Sequence, residues 1–180
     1  MWKKEQVFTL PNLLSLLRIA LIPLIIKLYW VDEAYTTALL VLILSGITDV
    51  ADGMIARKFH MVSDLGKILD PIADKLTQMA TLICLLTRFP YMWMPLALLT
   101  VKEFFTGILG FFAIRKSGHV IGADWHGKVC TVVLYSVMGL HMLWSNIPVG
   151  FSRSLVWLCM CVMALSGVLY GFRNLNQLRS

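Results

Sequence analysis

The side chains best suited to catalysis or metal binding in this 180-residue chain belong to four aspartates in two short segments: Asp49, Asp52, Asp70 and Asp74. The members of the first pair are three residues apart and those of the second pair four, so on helices each pair projects from one face. Oxygen ligands of this kind favour a hard dication, Mg²⁺ or Mn²⁺, over zinc or copper. Two such ions could share the four carboxylates, an arrangement that suits phosphoryl transfer.

These carboxylates lie next to apolar sequence, and a charge inside a membrane helix costs about 3 kcal/mol even on a lenient scale. A structural salt-bridge cluster is one alternative, but Arg57, Lys67 and Lys75 are too few and too peripheral to neutralise all four charges. An ion transporter is the remote alternative. Transport sites tend to lie near the bilayer midplane between repeated halves, and the sequence contains no second copy of these segments.

The elements that must position the aspartates are six apolar stretches. The hydrophobic fraction is 58% and the mean hydropathy +0.76, whereas an average soluble domain is about 45–50% apolar. Each stretch approaches the roughly 20 residues that a helix needs to span the hydrocarbon. The stretches are 11–31, 35–56, 69–88, 91–114, 128–146 and 150–171. We expect an all-α membrane protein with six transmembrane helices in one bundle, a single domain over residues 1–180, and a first helix that is retained rather than cleaved.

Lys and Arg residues alternate between the connections. They are concentrated at the N-terminus, in the second and fourth connections and in the tail, while the first connection carries Asp32 and Glu33. Because short cytoplasmic loops carry the excess of positive charge, we expect both termini and the aspartates on the cytoplasmic side of the cell (inner) membrane. The net charge of +6 favours anionic lipid headgroups and phosphorylated substrates as partners, and no nucleic-acid module is recognisable.

The pattern Asp49-x2-Asp52-Gly53-x2-Ala56-Arg57-x8-Gly66-x3-Asp70-x3-Asp74 resembles the signature of the CDP-alcohol phosphatidyltransferase family at every fixed position. The resemblance implies six transmembrane helices, usually in a homodimer with membrane lipids around it. It also implies transfer of a phosphatidyl group from CDP-diacylglycerol to an alcohol, with attack on the β-phosphorus and departure of CMP.

The resemblance further assigns roles. All four aspartates would bind two metal ions, Mg²⁺ or Mn²⁺, and Asp74 would also take the proton of the acceptor hydroxyl. The cytidine diphosphate would be bound by Asp52, Gly53, Ala56, Arg57 and Gly66. Small residues in this set would allow a bulky charged group to lie against the backbone.

Residues outside the signature bear on the acceptor. The segment from Leu10 to Arg18, the pair Lys102-Glu103 and Gly127-Lys128 resemble segments of the bacterial phosphatidylglycerophosphate synthases, which implies sn-glycerol 3-phosphate as acceptor. Candidate cations for its phosphate are Arg18, Lys75, Lys102, Arg115 and Lys128. That subfamily usually has arginine in place of Lys102 and a second arginine shortly after it, which this chain lacks. Phosphatidylglycerol, as in a cardiolipin synthase, or an inositol phosphate therefore stays an alternative acceptor.

Overall fold

The computed structural model describes residues 9–58, 64–117 and 125–179, with side chains described for residues 9, 11–51, 54, 66, 69–108 and 125–173. Six α-helices form this part of the chain: α1 (Leu10–Trp30), α2 (Tyr35–Lys58), α3 (Asp64–Leu86), α4 (Trp93–Ser117), α5 (Trp125–Leu143) and α6 (Val149–Arg179). A short 3-10 turn, Pro90–Met92, precedes α4. No strand occurs among these residues, so the prediction of an all-α protein is confirmed.

Three helices show clear differences between their ends and the predicted apolar stretches. α3 begins at Asp64, five residues before the predicted start, and α6 continues to Arg179, well past the predicted end at residue 171. α5 is displaced toward the N-terminus and runs from Trp125 to Leu143. Apolar length measures how much of a helix fits into hydrocarbon, whereas the backbone hydrogen bonds of a helix continue through polar residues beyond it.

Two helical segments of the described chain are long and apolar enough to cross a membrane. They are Pro11–Trp30, with a mean hydropathy of 1.9, and Val149–Arg173, with 2.1; a shorter apolar segment covers Tyr35–Ala51. Such segments support membrane association. Six membrane crossings and two cytoplasmic termini stay predictions.

The chain divides into two compact units, Met1–Cys84 and Leu85–Ser180. In the first unit α1 packs along α2, and the turn between them places Glu33 at a φ of 50°, in the left-handed region. The rings of Tyr29 and Tyr35 meet edge to face across this turn, with centroids 4.9 Å apart. Ile25 and Leu42 are buried in the same core. This antiparallel pairing brings the middle of α1 beside the end of α2 that carries the first aspartates.

In the second unit α6 packs against both α4 and α5. A fully buried histidine, His141, links two of these elements. Its Nε2 lies 2.9 Å from the hydroxyl of Ser152, and its Nδ1 lies 2.7 Å from the carbonyl oxygen of Val137. Phe89 packs edge-on against the imidazole ring. Both ring nitrogens therefore have partners inside an apolar unit, where an unsatisfied polar group would be costly.

Candidate active site

α1 contributes two buried polar side chains, Ser15 and Arg18, which are 0% and 2% exposed. They are three residues apart and therefore lie on one face of the helix. The Nη1 of Arg18 donates a hydrogen bond to Oδ1 of Asp49 on α2. The Nη2 of Arg18 donates to the Ser15 hydroxyl at 3.2 Å and lies 3.5 Å from Oδ1 of Asp70 on α3. One guanidinium thus contacts carboxylates from two helices.

α3 contributes two aspartates one turn apart, each with its own partners. The Ser15 hydroxyl donates a hydrogen bond to Oδ1 of Asp70. The Asp74 carboxylate accepts a hydrogen bond from Nε2 of Gln78 at 2.9 Å, and the Nζ of Lys75 lies 3.4 Å from the same oxygen, Oδ2. α3 stays helical through Pro71, so Asp70 and Asp74 keep their i, i+4 relation.

The three carboxylates lie close enough to influence one another. Asp49 interacts electrostatically with Arg18, and it also experiences the negative charges of Asp70 and Asp74. The side chains of Asp49 and Asp70 are 44% and 37% exposed, whereas that of Asp74 is 19% exposed. Accessible carboxylates that converge in this way attract cations.

The carboxylate oxygens of Asp49, Asp70 and Asp74 are the kind of ligand that a hard dication prefers. Among the described side chains, no group of three or more histidine, cysteine or acidic residues is arranged to hold a metal ion. Asp52 lies in α2 one turn after Asp49, but its side chain falls outside the described residues. The predicted binding of two ions therefore stays a prediction.

Comparison with known proteins decides the family. A family model described as CDP-alcohol phosphatidyltransferase matches residues 8–168. The chain belongs to the CDP-alcohol phosphatidyltransferase family. The family prediction made from the aspartate spacing is thereby confirmed, and the class of enzyme with it.

Named relatives within the family carry two different enzyme names. The chain is 31% identical over 193 aligned positions to the CDP-diacylglycerol–glycerol-3-phosphate 3-phosphatidyltransferase of Bacillus subtilis, covering 96% of this chain and 98% of the relative. It is 41% identical over 110 positions to the protein of the same name from Rickettsia bellii, covering 59% of this chain and 61% of the relative. It is 37% identical over 147 positions to the cardiolipin synthase (CMP-forming) of Streptomyces coelicolor, covering 77% and 67%. The match to the Rickettsia relative thus spans about three fifths of that protein.

The residues predicted to bind the cytidine diphosphate lie on both sides of the α2–α3 connection. Gly53, Ala56 and Arg57 belong to the last turns of α2, and their side-chain environments fall outside the described residues, as does that of Asp52. Gly66 lies in the first turn of α3 and is buried. The family signature therefore occupies the two helix ends that face this connection.

The predicted acceptor-phosphate cations have different environments. Arg18 contacts the aspartates of the first unit, and Lys75 pairs with Asp74. In the second unit Lys102 is 9% exposed, pairs with Glu103, and lies against Gly167 of α6. Lys128 is exposed on α5, and the side chain of Arg115 falls outside the described residues.

Sequence reasoning missed three polar partners of this family's carboxylates. From sequence, Arg18 is assigned to the acceptor phosphate, and no role is assigned to Ser15 or Gln78. Two signals were available. Ser15 and Arg18 are polar residues at i, i+3 in a mainly apolar helix, and Gln78 follows Asp74 at i+4, where side chains on a helix are neighbours.

Proposed function

We propose that this chain transfers the phosphatidyl group of CDP-diacylglycerol to sn-glycerol 3-phosphate, giving phosphatidylglycerophosphate and CMP. The observation that carries the proposal is the convergence of Asp49, Asp70 and Asp74 from two helices in a chain of this family. The names of the Bacillus and Rickettsia relatives support this acceptor. Lys102-Glu103 and Gly127-Lys128 resemble segments of the same subfamily.

In the proposed reaction the acceptor hydroxyl oxygen attacks the β-phosphorus of CDP-diacylglycerol. The bond from that phosphorus to the bridging oxygen breaks, and CMP leaves with the bonding electrons. Asp74 accepts the proton of the attacking hydroxyl. The hydrogen bond from Gln78 and the ion pair with Lys75 support this role, because they orient the Asp74 carboxylate. A positioned base contributes about 10²- to 10⁴-fold to a rate.

The aspartates hold two divalent ions, Mg²⁺ or Mn²⁺, in this proposal; the ligands are Asp49, Asp52, Asp70 and Asp74. When bound, such ions neutralise the charge that develops on the diphosphate. The cytidine diphosphate is bound by Asp52, Gly53, Ala56, Arg57 and Gly66. Small side chains in this set allow the nucleotide to approach the backbone.

The phosphate of the acceptor needs cationic partners, for which we propose Lys75, Lys102, Arg115 and Lys128. Arg18 belongs to the same sequence-derived set, but its guanidinium is buried and in contact with Asp49 and Ser15. Ammonium groups bind phosphate as point charges, whereas the guanidinium of arginine binds it through two parallel hydrogen bonds. A site that relies mainly on lysine is therefore expected to discriminate less sharply between phosphorylated acceptors.

The surroundings of the reaction are part of the proposal. The chain is a multi-pass protein of the cell (inner) membrane, with both termini and the active site on the cytoplasmic side, and it forms a homodimer. The distribution of Lys and Arg between the connections supports the orientation. Family resemblance supports the homodimer.

A cardiolipin synthase is the second candidate function. It would use phosphatidylglycerol as acceptor in place of glycerol 3-phosphate. Two observations favour it: the relative from Streptomyces coelicolor carries that name, and Lys102 stands where arginine is usual in the glycerophosphate-using subfamily.

The test is CMP release by the purified chain in detergent with CDP-diacylglycerol, Mg²⁺ or Mn²⁺, and one acceptor at a time: glycerol 3-phosphate, phosphatidylglycerol or an inositol phosphate. Release only with glycerol 3-phosphate supports the main proposal. Release only with phosphatidylglycerol supports the second candidate. Release only with an inositol phosphate overturns both acceptor assignments.

The role of Asp74 is tested by Asp74→Asn, which keeps shape and removes the base. We expect kcat to fall by about 10²- to 10⁴-fold, while the size-exclusion elution profile, which reports an intact fold, stays unchanged. Asp32→Asn is the matched control, because Asp32 lies in the α1–α2 turn and pairs with Lys27 at 3.7 Å, away from the aspartates of the site. An Asp74→Asn protein as active as this control would remove Asp74 from the mechanism.

A further inference from the structure

We infer that Ser15 and Arg18 of α1 are positioning residues that hold the carboxylates of Asp49 and Asp70 from the protein side and thereby set the affinity of the site for divalent cations. The inference rests on the proposed function, because it takes these aspartates as cation ligands. It gives α1 a part in a site whose family signature lies entirely on α2 and α3.

The two α1 residues contact one oxygen of the Asp49 carboxylate and one oxygen of the Asp70 carboxylate. Arg18 donates to Oδ1 of Asp49 and lies 3.5 Å from Oδ1 of Asp70, while Ser15 donates to that same Asp70 oxygen. Over a third of each aspartate side chain stays accessible, 44% for Asp49 and 37% for Asp70. One oxygen of each carboxylate is thus held by the protein, and the accessible remainder is available to a cation. Two ligands from different helices are fixed by a single guanidinium and a single hydroxyl.

Burial argues that Arg18 stays where it is when a cation binds. Arg18 is 2% exposed. A buried guanidinium that loses its anionic partner strongly destabilises a protein. Displacement of Arg18 from the aspartates by a bound cation would therefore cost much of the free energy of folding.

Groups that orient metal ligands typically change metal affinity or activity by about 10- to 100-fold when they are removed. Ser15→Ala deletes the hydroxyl that contacts both Asp70 and Arg18. We expect its dissociation constant for Mn²⁺ to rise about tenfold, with an equal rise in the Mn²⁺ concentration that gives half-maximal activity. Ser15→Thr retains the hydroxyl and is expected to bind Mn²⁺ like the original chain.

A matched control is Thr81→Val. Thr81 lies on α3, is fully buried, and donates its hydroxyl to the backbone carbonyl of Thr77 rather than to a carboxylate. This nearly isosteric change removes one buried hydroxyl from the same unit. It is expected to leave Mn²⁺ binding within about twofold of the original, since it touches no proposed ligand.

The experiment titrates chelator-treated full-length protein in detergent with Mn²⁺ and measures free Mn²⁺ by electron paramagnetic resonance; KM for glycerol 3-phosphate is measured in parallel. Arg18→Lys is the second variant, since it keeps the charge and loses the planar fork. We expect both Ser15→Ala and Arg18→Lys to weaken Mn²⁺ binding with KM for the acceptor unchanged.

Three outcomes would overturn the inference. They are Mn²⁺ affinity in Ser15→Ala equal to that in Thr81→Val, tighter Mn²⁺ binding in either α1 variant, and a raised acceptor KM with unaltered Mn²⁺ affinity in Arg18→Lys. Asp49→Asn distinguishes these failures from failure of the proposed function. If Asp49→Asn binds Mn²⁺ as tightly as the original chain, the aspartate site itself is wrong. If Asp49→Asn loses binding while the α1 variants keep it, only the positioning role is wrong.

Discussion

Gly167 of α6 leaves space that the Lys102 side chain fills. A Cβ added at Gly167 would lie 3.1 Å from Cγ and 3.5 Å from Cδ of Lys102. The Lys102 side chain must therefore shift by a few tenths of an ångström, and its ammonium group is paired with Glu103. We expect Gly167→Ala to push the Lys102 side chain away from its preferred rotamer angle and to displace its ammonium group.

The size of the effect follows from the cost of that displacement. A side chain about 30° from its rotamer costs about 0.5–1.5 kcal/mol, and about 1.4 kcal/mol corresponds to a tenfold change in an equilibrium constant. If Lys102 binds the acceptor phosphate equally in the ground and transition states, KM for glycerol 3-phosphate rises about two- to tenfold while kcat is unchanged. KM for CDP-diacylglycerol stays constant.

Gly171→Ala is the control for Gly167→Ala on the same helix. A Cβ at Gly171 meets nothing within 4 Å, and both changes add the same helix propensity, about 1 kcal/mol. The assay is steady-state CMP release at varied glycerol 3-phosphate with saturating CDP-diacylglycerol. Equal acceptor KM values in the two alanine variants would refute the assignment of Lys102 to the acceptor phosphate, as would a change confined to KM for CDP-diacylglycerol.

Two further predictions concern stability. Ser152→Ala leaves Nε2 of buried His141 without its hydroxyl partner and is expected to lower the free energy of unfolding by about 1–3 kcal/mol, measured as a lower Tm in detergent. Ser154→Ala is the control, because the exposed hydroxyl of Ser154 contacts only the backbone of its own helix. Equal Tm values for the two variants would contradict the reasoning. Glu33→Gly relieves the backbone strain of a φ of 50° and is expected to raise the free energy of unfolding by up to about 1 kcal/mol. Glu33→Ala keeps the strain and is the control. A Tm for the glycine variant no higher than that for the alanine variant would contradict this prediction.

The sequence was sufficient for the pairing of aspartates along each helix. The spacings of Asp49 with Asp52 and of Asp70 with Asp74 require one face per pair, and the structure brings Asp49, Asp70 and Asp74 within electrostatic range of one another. The spacing of residues along one helix does not show which side chains of another helix contact them. Ser15 lies 55 residues from Asp70, and Arg18 lies 31 residues from Asp49, so only tertiary packing of α1 reveals these contacts.

Helix ends were less predictable than helix number, for a related reason. The first turn of α3 includes Asp64 and Gly66, which no apolar count assigns to a helix, and α6 continues to Arg179 through a polar last segment. Hydropathy reports the part of each helix that hydrocarbon can cover. The proposed site uses polar residues near the ends of α2 and α3, so boundary errors are expected close to it.

The position of α1 also explains how carboxylates from two helices can approach each other at all. Asp49 and Asp70 carry like charges, and their repulsion opposes the approach of α2 and α3. The guanidinium of Arg18 lies against both carboxylates and offsets it, and the Ser15 hydroxyl links the guanidinium to Asp70. Formation of the site therefore depends on packing of α1 against α2. A substitution that weakens packing between α1 and α2, far from any proposed ligand, should therefore weaken cation binding.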